Sequence, residues 1–168
     1  MTTNKVKFRE LKKEDWAEVS LIYKQGLETE NASFQSEVSN WSNWNDEHIA
    51  TCRIVAELND KIIGWSALSP VSDRCIYGGV AEVSVYVASN NAGQKIGTEL
   101  LNNLITESEE NGIWTLQAGI FPENKASLRI HEKLNFRKVG YREKIGKLNG
   151  VWRDIVLLER RSKKMGID

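Results

Sequence analysis

Three stretches of this chain hold side chains able to do chemistry. In Ala81-Glu82-Val83-Ser84-Val85-Tyr86-Val87, apolar and polar residues alternate. A strand puts the valines on one face and Glu82, Ser84 and Tyr86 on the other. An acid set among apolar neighbours is expected to be partly buried, and burial makes a carboxylate a better proton acceptor near neutral pH. The plainer alternative is a solvated strand face or a structural ion pair. The second stretch, NNAGQKIG, is a glycine-containing turn that opens onto an apolar-periodic segment. Free N–H groups and the positive dipole end of a helix start favour a phosphate there. Gly93 and Gly97 would let backbone approach such a ligand, or they serve the turn alone. The stretch is neither a P-loop nor a GxGxxG fingerprint. The third is Asn124-Lys125-Ala126-Ser127 followed by His131. Ser127 and His131 are four residues apart and share a helix face, and a histidine can take or give a proton near pH 7. A lone helical histidine can equally be a plain packing residue.

The rest of the chain must position these groups. It has 168 residues, 23 Lys plus Arg against 23 Asp plus Glu, and 40% hydrophobic residues. That length suits one domain, read as 1–168, and that apolar content argues against disorder. Zero net charge removes the usual signature of a nucleic-acid binder. No run approaches the roughly 18 apolar residues that span a membrane. The polar start, MTTNKVKFRELKKEDW, has no apolar core, so the expected location is cytoplasmic. Cys52, Cys75, His48 and His131 have no zinc-site spacing, so no metal is expected, and both cysteines are read as reduced.

Periodicity gives the elements. Lys5 to Leu11 reads as a strand. From Lys13, Trp16, Val19, Ile22 and Leu27 recur at helical spacing. A weak helix is expected around Asn45–Thr51. Arg53–Leu58 and Lys61–Leu68 form a hairpin about Asn59-Asp60, and Pro70 opens a loop over Ser69–Tyr77. Gly79–Val87 is a strand, Ile96–Asn111 a helix, Ile113–Ile120 a strand, and Lys125–Leu134 a helix with Asn124 as its N-cap. Arg137–Gly146 and Val151–Glu159 flank a second hairpin turn, Asn149-Gly150. The class is α/β (α+β): a mixed, mostly antiparallel sheet with helices packed on it.

Several blocks in this order resemble the GCN5-related N-acetyltransferase (GNAT) superfamily, and within it the phosphinothricin acetyltransferase branch. They are SPVSDRCIYGGVAEVSVYV, the turn before Ile96-Gly97, WTLQAGIFPENKASLRIHEKLNF, and VGYREKIGKLNGVWRD. They span most of residues 60–154. The resemblance implies a twisted, splayed sheet of about seven strands flanked by about four helices. It implies acetyl-CoA as co-substrate, with the backbone of Val85, Tyr86 and Val87 pairing with the pantetheine arm as an added strand would. The turn Ala92, Gly93, Gln94, Lys95, Ile96, Gly97 and Thr98 would cradle the pyrophosphate. Asn124 would contact the cofactor, and Lys133 would reach a phosphate. The family turn is Arg or Gln, two residues, Gly, one residue, then Gly or Ala; here those positions hold Ala92, Lys95 and Gly97. Asn135-Phe136 replaces the usual Gly-Phe, and Asn tolerates a left-handed backbone.

The reaction implied is transfer of an acetyl group to a primary amine by direct attack. Glu82 would act as base, and strand N–H groups would stabilise the developing oxyanion. His131 stands where many relatives place a tyrosine that protonates the leaving thiolate. In the phosphinothricin branch a histidine there is proposed to be catalytic with the glutamate. The acceptor of that branch is a small amino acid or analogue, of the phosphinothricin, methionine sulfoximine or methionine sulfone type. Arg74 and Tyr77 would bind its polar groups, and Phe34 would wall the pocket. Arg74 as a solvated loop charge is the alternative. Such enzymes are typically homodimers. Two other functions fit the same fold: a protein or peptide N-acetyltransferase, and a non-catalytic acyl-CoA sensor.

Overall fold

The computed structural model describes residues 4–168. The first three residues of the expected 1–168 domain, and of its polar N-terminal stretch, lie outside these. Seven strands form one sheet: β1 (Lys7–Glu10), β2 (Ile54–Leu58), β3 (Lys61–Pro70), β4 (Val80–Val87), β5 (Thr115–Ile120), β6 (Arg137–Leu148) and β7 (Val151–Arg161). Their spatial order is β1-β2-β3-β4-β5-β7-β6. Every neighbouring pair is antiparallel except β4 and β5, which run parallel. Four α-helices, α1 (Trp16–Glu28), α2 (Trp41–Glu47), α3 (Ile96–Glu110) and α4 (Lys125–Lys133), complete the α/β (α+β) architecture expected from the sequence. The parallel pair needs a crossover, and α3 supplies it.

The sheet is apolar on both faces, and each face has its own cover. On one, Leu100, Leu101, Leu104 and Ile105 of α3 pack on Ala81, Leu116 and Leu158, joined by Leu128 and Ile130 of α4. On the other, Val19, Ile22, Tyr23 and Leu27 of α1 pack on Val55, Trp65 and Ala67, with Trp44 of α2. The alternation in β4 therefore has a structural meaning. Val83, Val85 and Val87 face α3, while Tyr86 faces α1.

Both hairpin turns are as expected. Asn59 and Asp60 have φ of 51° and 60°, and Asn149 and Gly150 have 48° and 80°, the paired positive φ of a two-residue turn. Asn135 takes φ 69° after α4. Two elements differ from expectation. The weak helix lies four residues earlier, at Trp41–Glu47, because Asn40 Oδ1 accepts the Asn43 N–H at 2.9 Å and fixes the start. There Trp44 is buried and Trp41 stacks on it, with ring centroids 5.6 Å apart. Strand β3 runs through Pro70, where a loop was expected. Pro70 is the terminal pair of that ladder, opposite Ala81, where a missing N–H costs little.

Candidate active site

The ladder between β4 and β5 is short. It pairs Val80 with Thr115, Ala81 with Leu116 and Glu82 with Gln117, and then stops. Beyond that point β4 continues to Val87 bonded only to β3, and β5 continues to Ile120 bonded only to β7. The two strands splay, and a cavity of about 680 Å³ opens along the split. The free edge of β4 carries unpaired N–H and C=O groups, which an extended ligand can complete as an added strand does.

Glu82 sits at the fork. Its carboxylate accepts a hydrogen bond from Gln117 Nε2 at 2.9 Å. Glu82 is exposed rather than partly buried, because the strands part immediately beyond it and open its face to solvent. Further along β4, Tyr86 stacks on Trp65 at 4.9 Å and meets Tyr23 edge-on at 4.8 Å. Burial pushes the Tyr86 hydroxyl above the ordinary tyrosine range, so it stays protonated.

His131 enters the cavity from α4. Asn124 caps this helix by accepting the Ser127 N–H at 3.2 Å, and its Nδ2 donates to the Asn31 carbonyl at 3.1 Å. His131 Nδ1 lies 2.7 Å from the Ser127 carbonyl, to which it donates. The ring is only 5% exposed and stands edge-on to Phe136 at 4.9 Å. Desolvation lowers its pKa below the ordinary 6.5. The imidazole is therefore neutral, with its proton on Nδ1 and a lone pair on Nε2, and that buried Nε2 has no partner. This tautomer can accept a proton. It cannot donate one from Nε2 until it has taken one up.

The chain's other histidine lines the same cavity. His48 Nδ1 donates to the Trp44 carbonyl at 2.6 Å, and the ring stacks on Trp44 at 4.2 Å. Buried Arg53 holds this corner by donating to the carbonyls of Ile49, Asn45 and His48 at 2.7, 3.0 and 2.9 Å. The far wall is apolar. Phe34 meets Phe121 edge-on at 5.0 Å, and the Arg153 guanidinium lies 4.0 Å over the Phe121 ring.

At the end of the β4 edge, the turn before α3 holds two left-handed residues, Gly93 at φ 78° and Lys95 at φ 64°. Lys95 is the N-cap residue, and no side chain caps this helix start. The amides of Ile96, Gly97 and Thr98 thus have no intrahelical acceptor. A Cβ on Gly97 would stand 3.2 Å from Ile130 Cδ1 and 3.6 Å from Val87 Cγ2. Its small size is what lets α3 pack closely against α4 and β4.

The structure thus brings Phe34, Glu82, Val85, Tyr86, Asn124 and His131 around one cavity. Val87, the turn 92–98 and Lys133 are outside its lining. So are Arg74 and Tyr77, which are exposed and stack on each other at 5.7 Å. Gln117, Glu47, His48 and Arg142 also line the cavity, and the sequence assigned none of them to a catalytic or binding role. For Gln117 the signal was present, in the polar–apolar alternation of Thr115–Ile120. Among the described residues no group of three His, Cys, Asp or Glu is placed to hold a metal ion. Neither is any helix long and apolar enough to cross a membrane. Cys52 and Cys75 are both free thiols.

Comparison with known proteins agrees with this architecture. A phosphinothricin N-acetyltransferase from Alcaligenes faecalis is 30% identical over 163 residues, covering 90% of this chain and 80% of that one. An L-methionine sulfoximine/L-methionine sulfone acetyltransferase from Salmonella typhimurium is 29% identical over 106 residues, 63% of this chain and 62% of that one. Three further curated relatives are matched over 56%, 60% and 62% of their length. An acetyltransferase structure from Salmonella typhimurium, solved with acetyl-CoA, superposes with a TM-score of 0.88. It covers 98% of each chain at 24% identity, a likeness of fold. Residues 8–136 match the Acetyltransferase (GNAT) family profile, and the chain belongs to that family.

Proposed function

We propose that this protein is an acetyl-CoA-dependent N-acetyltransferase that acetylates the amine of a small amino acid or analogue, of the phosphinothricin, methionine sulfoximine or methionine sulfone type. The observation that carries the reading is the β4–β5 fork. One unpaired strand edge, one carboxylate at its root and one neutral histidine share a single cavity.

The residues present fit the cofactor. The β4 edge from Val83 to Val87 offers backbone groups that no neighbouring strand on the β5 side uses, and Val85, Tyr86 and Val87 would hold the pantetheine arm. The uncapped amides of α3, with Ala92, Gly93, Gln94 and Lys95 before them, would hold phosphate. Lys133 is exposed at the end of α4, within the same reading. Asn124 already donates to Asn31, so its part is to hold α4 and the 31–35 segment together beside the arm. When bound, acetyl-CoA supplies the activated acyl thioester.

This chain's own residues then have separate tasks. An ammonium has no lone pair and must first lose a proton. Glu82 takes it, directly or through water, with Gln117 fixing the carboxylate. Amides of the β4 edge hold the developing negative charge. His131 Nε2 is a second proton acceptor inside the cavity, and once protonated it can return that proton to a leaving group. Phe34 and Phe121 exclude water from the acceptor side. Arg74 and Tyr77, outside the cavity lining, would bind the acceptor's polar groups only from beyond it. The reading includes a homodimer, and exposed Tyr141, Val151 and Trp152 on the terminal β6–β7 hairpin offer it apolar surface.

A thiol-release assay tests the reading. Purified protein is given acetyl-CoA with phosphinothricin, methionine sulfoximine, methionine sulfone, free amino acids or a peptide amine. Turnover on the small acceptors is expected. Turnover on the peptide alone, or CoA binding with no turnover, would overturn it.

A further inference from the structure

The cavity is poor in positive charge. Among the described residues that line it, Arg142 is the one Lys or Arg, against two acids, Glu47 and Glu82. Its register places it there: Arg142 pairs with Ile155, which lines the same cavity, and an irregularity follows it. Strand β6 pairs Arg142 with Ile155 and Gly146 with Arg153, so four steps on β6 face two on β7. The extra residues bulge, with Lys144 at φ 44°. A regular strand would turn Arg142 and Ile145 to opposite faces. The bulge turns Ile145 to the cavity beside Arg142, which is what bulges beside ligand sites do. Asp154 holds the distortion from behind, accepting the Lys144 N–H at 2.7 Å and the Tyr141 hydroxyl.

The other arginines of the sheet are occupied. Arg9, Arg137, Arg153 and Arg160 each pair with a carboxylate, and Arg161 donates to the carbonyls of Trp114, Ser162 and Met165. Among the described residues none pairs with Arg142.

Position then says which part of a ligand it meets. Glu82 is opposite Gln117, Gln117 is opposite Glu159, and Ile155, four residues from Glu159, is opposite Arg142. Three interstrand steps and four residues along the strand separate Glu82 and Arg142 by roughly 20 Å between Cα atoms on a flat sheet. Side chains close part of that gap, and an anionic group several bonds out along the acceptor's side chain spans the rest more readily than an α-carboxylate, which shares its carbon with the amine. The wall on the Arg142 side is apolar, formed by Phe34, Phe121 and Ile155.

The geometry points to Arg142 as the anchor for an anionic group at the far end of the acceptor's side chain. The preferred acceptor is then an amino acid whose side chain ends in a carboxylate or phosphinate. A guanidinium fits such a planar or tetrahedral oxyanion with paired hydrogen bonds. This specificity rests on the acetyltransferase reading above, with Glu82 at the amine end.

The test is steady-state kinetics on three variants and four acceptors. The acceptors are glutamate, glutamine as its uncharged isostere, phosphinothricin, and lysine as the oppositely charged control. Wild type should prefer glutamate to glutamine. Arg142→Gln should raise the KM for glutamate and phosphinothricin by about 10- to 100-fold, the usual cost of losing a charge-assisted pair. It should shift the glutamine KM by less than about 3-fold, with the acetyl-CoA KM reporting an intact fold. Arg142→Lys should restore part of the loss, and Arg142→Glu should turn preference towards lysine. Equal losses on glutamate and glutamine, no loss on either, or a wild type that prefers glutamine would overturn the anchor alone. A wild type that acetylates no small amine would overturn the acetyltransferase reading and the anchor with it.

Discussion

Glu82 and Gln117 are the last paired residues of the parallel β4–β5 ladder, and their side chains are joined at 2.9 Å. The proton acceptor of the proposed reaction is thus fixed by the fork that opens the cavity. Because Glu82 is exposed, its orientation depends on this one bond and not on packing.

Removing the carboxylate should be far more damaging than removing its holder. Glu82→Gln should lower kcat by about 10²–10⁴-fold, the range for general-base catalysis. Gln117→Leu should lower it by about 10-fold, through lost orientation. In both, the acetyl-CoA KM should stay within a few-fold of wild type. An unchanged kcat in Glu82→Gln would remove this residue from the mechanism.

The fold was legible because its signals are local. Asn59-Asp60 and Asn149-Gly150 announce hairpins by residue type alone. The strand–turn–helix from Val80 to Glu110 and the cap at Asn124 do the same. What escaped the sequence depends on pairing between distant segments. Whether Glu82 is covered depends on where β5 leaves β4, which no local pattern in β4 encodes. The displaced α2 followed a cap at Asn40, preceded by a polar stretch with little periodicity. Arg142 has no signal of its own in the sequence, since its face follows from the register of β6 on β7, including a shift between Lys138 and Gly140, and neither strand shows that register alone.

Lys95 separates backbone from charge. It is left-handed at φ 64°, where a side chain costs about 1 kcal/mol or more relative to glycine. Lys95→Gly should therefore raise Tm by about 2–4 °C in a chain of this size. Lys95→Ala keeps the strained backbone and should not. Both remove the cation and should raise the acetyl-CoA KM several-fold to the same extent. Thermal melts with acetyl-CoA titrations read the two effects apart. An unchanged KM in both variants would exclude a phosphate contact by this side chain.

Gly26 lies inside α1, where alanine is ordinarily stabilising by about 0.5–1 kcal/mol. Here a Cβ would fall 2.5 Å from the Tyr86 ring. That ring is held between Trp65 and Tyr23 and lines the cavity. The sign should reverse. Gly26→Ala should lose about 1–3 kcal/mol in urea unfolding, as overpacking does, and kcat should fall with it. A stabilised, fully active variant would show that Tyr86 can move freely.

The two neutral histidines give the protein a defined acid limb. Desolvation depresses the folded-state pKa of both His131 and His48 below 6.5. Between the folded and the ordinary values, the unfolded chain binds more protons than the native one, so stability rises with pH. Their contribution is complete above about 6.5 and is lost as pH falls through the folded values. One group can supply a slope of at most about 1.4 kcal/mol per pH unit. His131→Asn retains a donor for the Ser127 carbonyl but cannot titrate. It should flatten the fall of stability below pH 6.5, measured by urea unfolding at a series of pH values. It should also cut kcat, whereas a purely structural His131 would show the flatter acid limb with unaltered turnover. A wild-type acid limb no steeper than that of His131→Asn would mean that burial does not depress the pKa of this ring on folding. The case for a ring kept neutral by burial, and for Nε2 as a standing proton acceptor, would then fall.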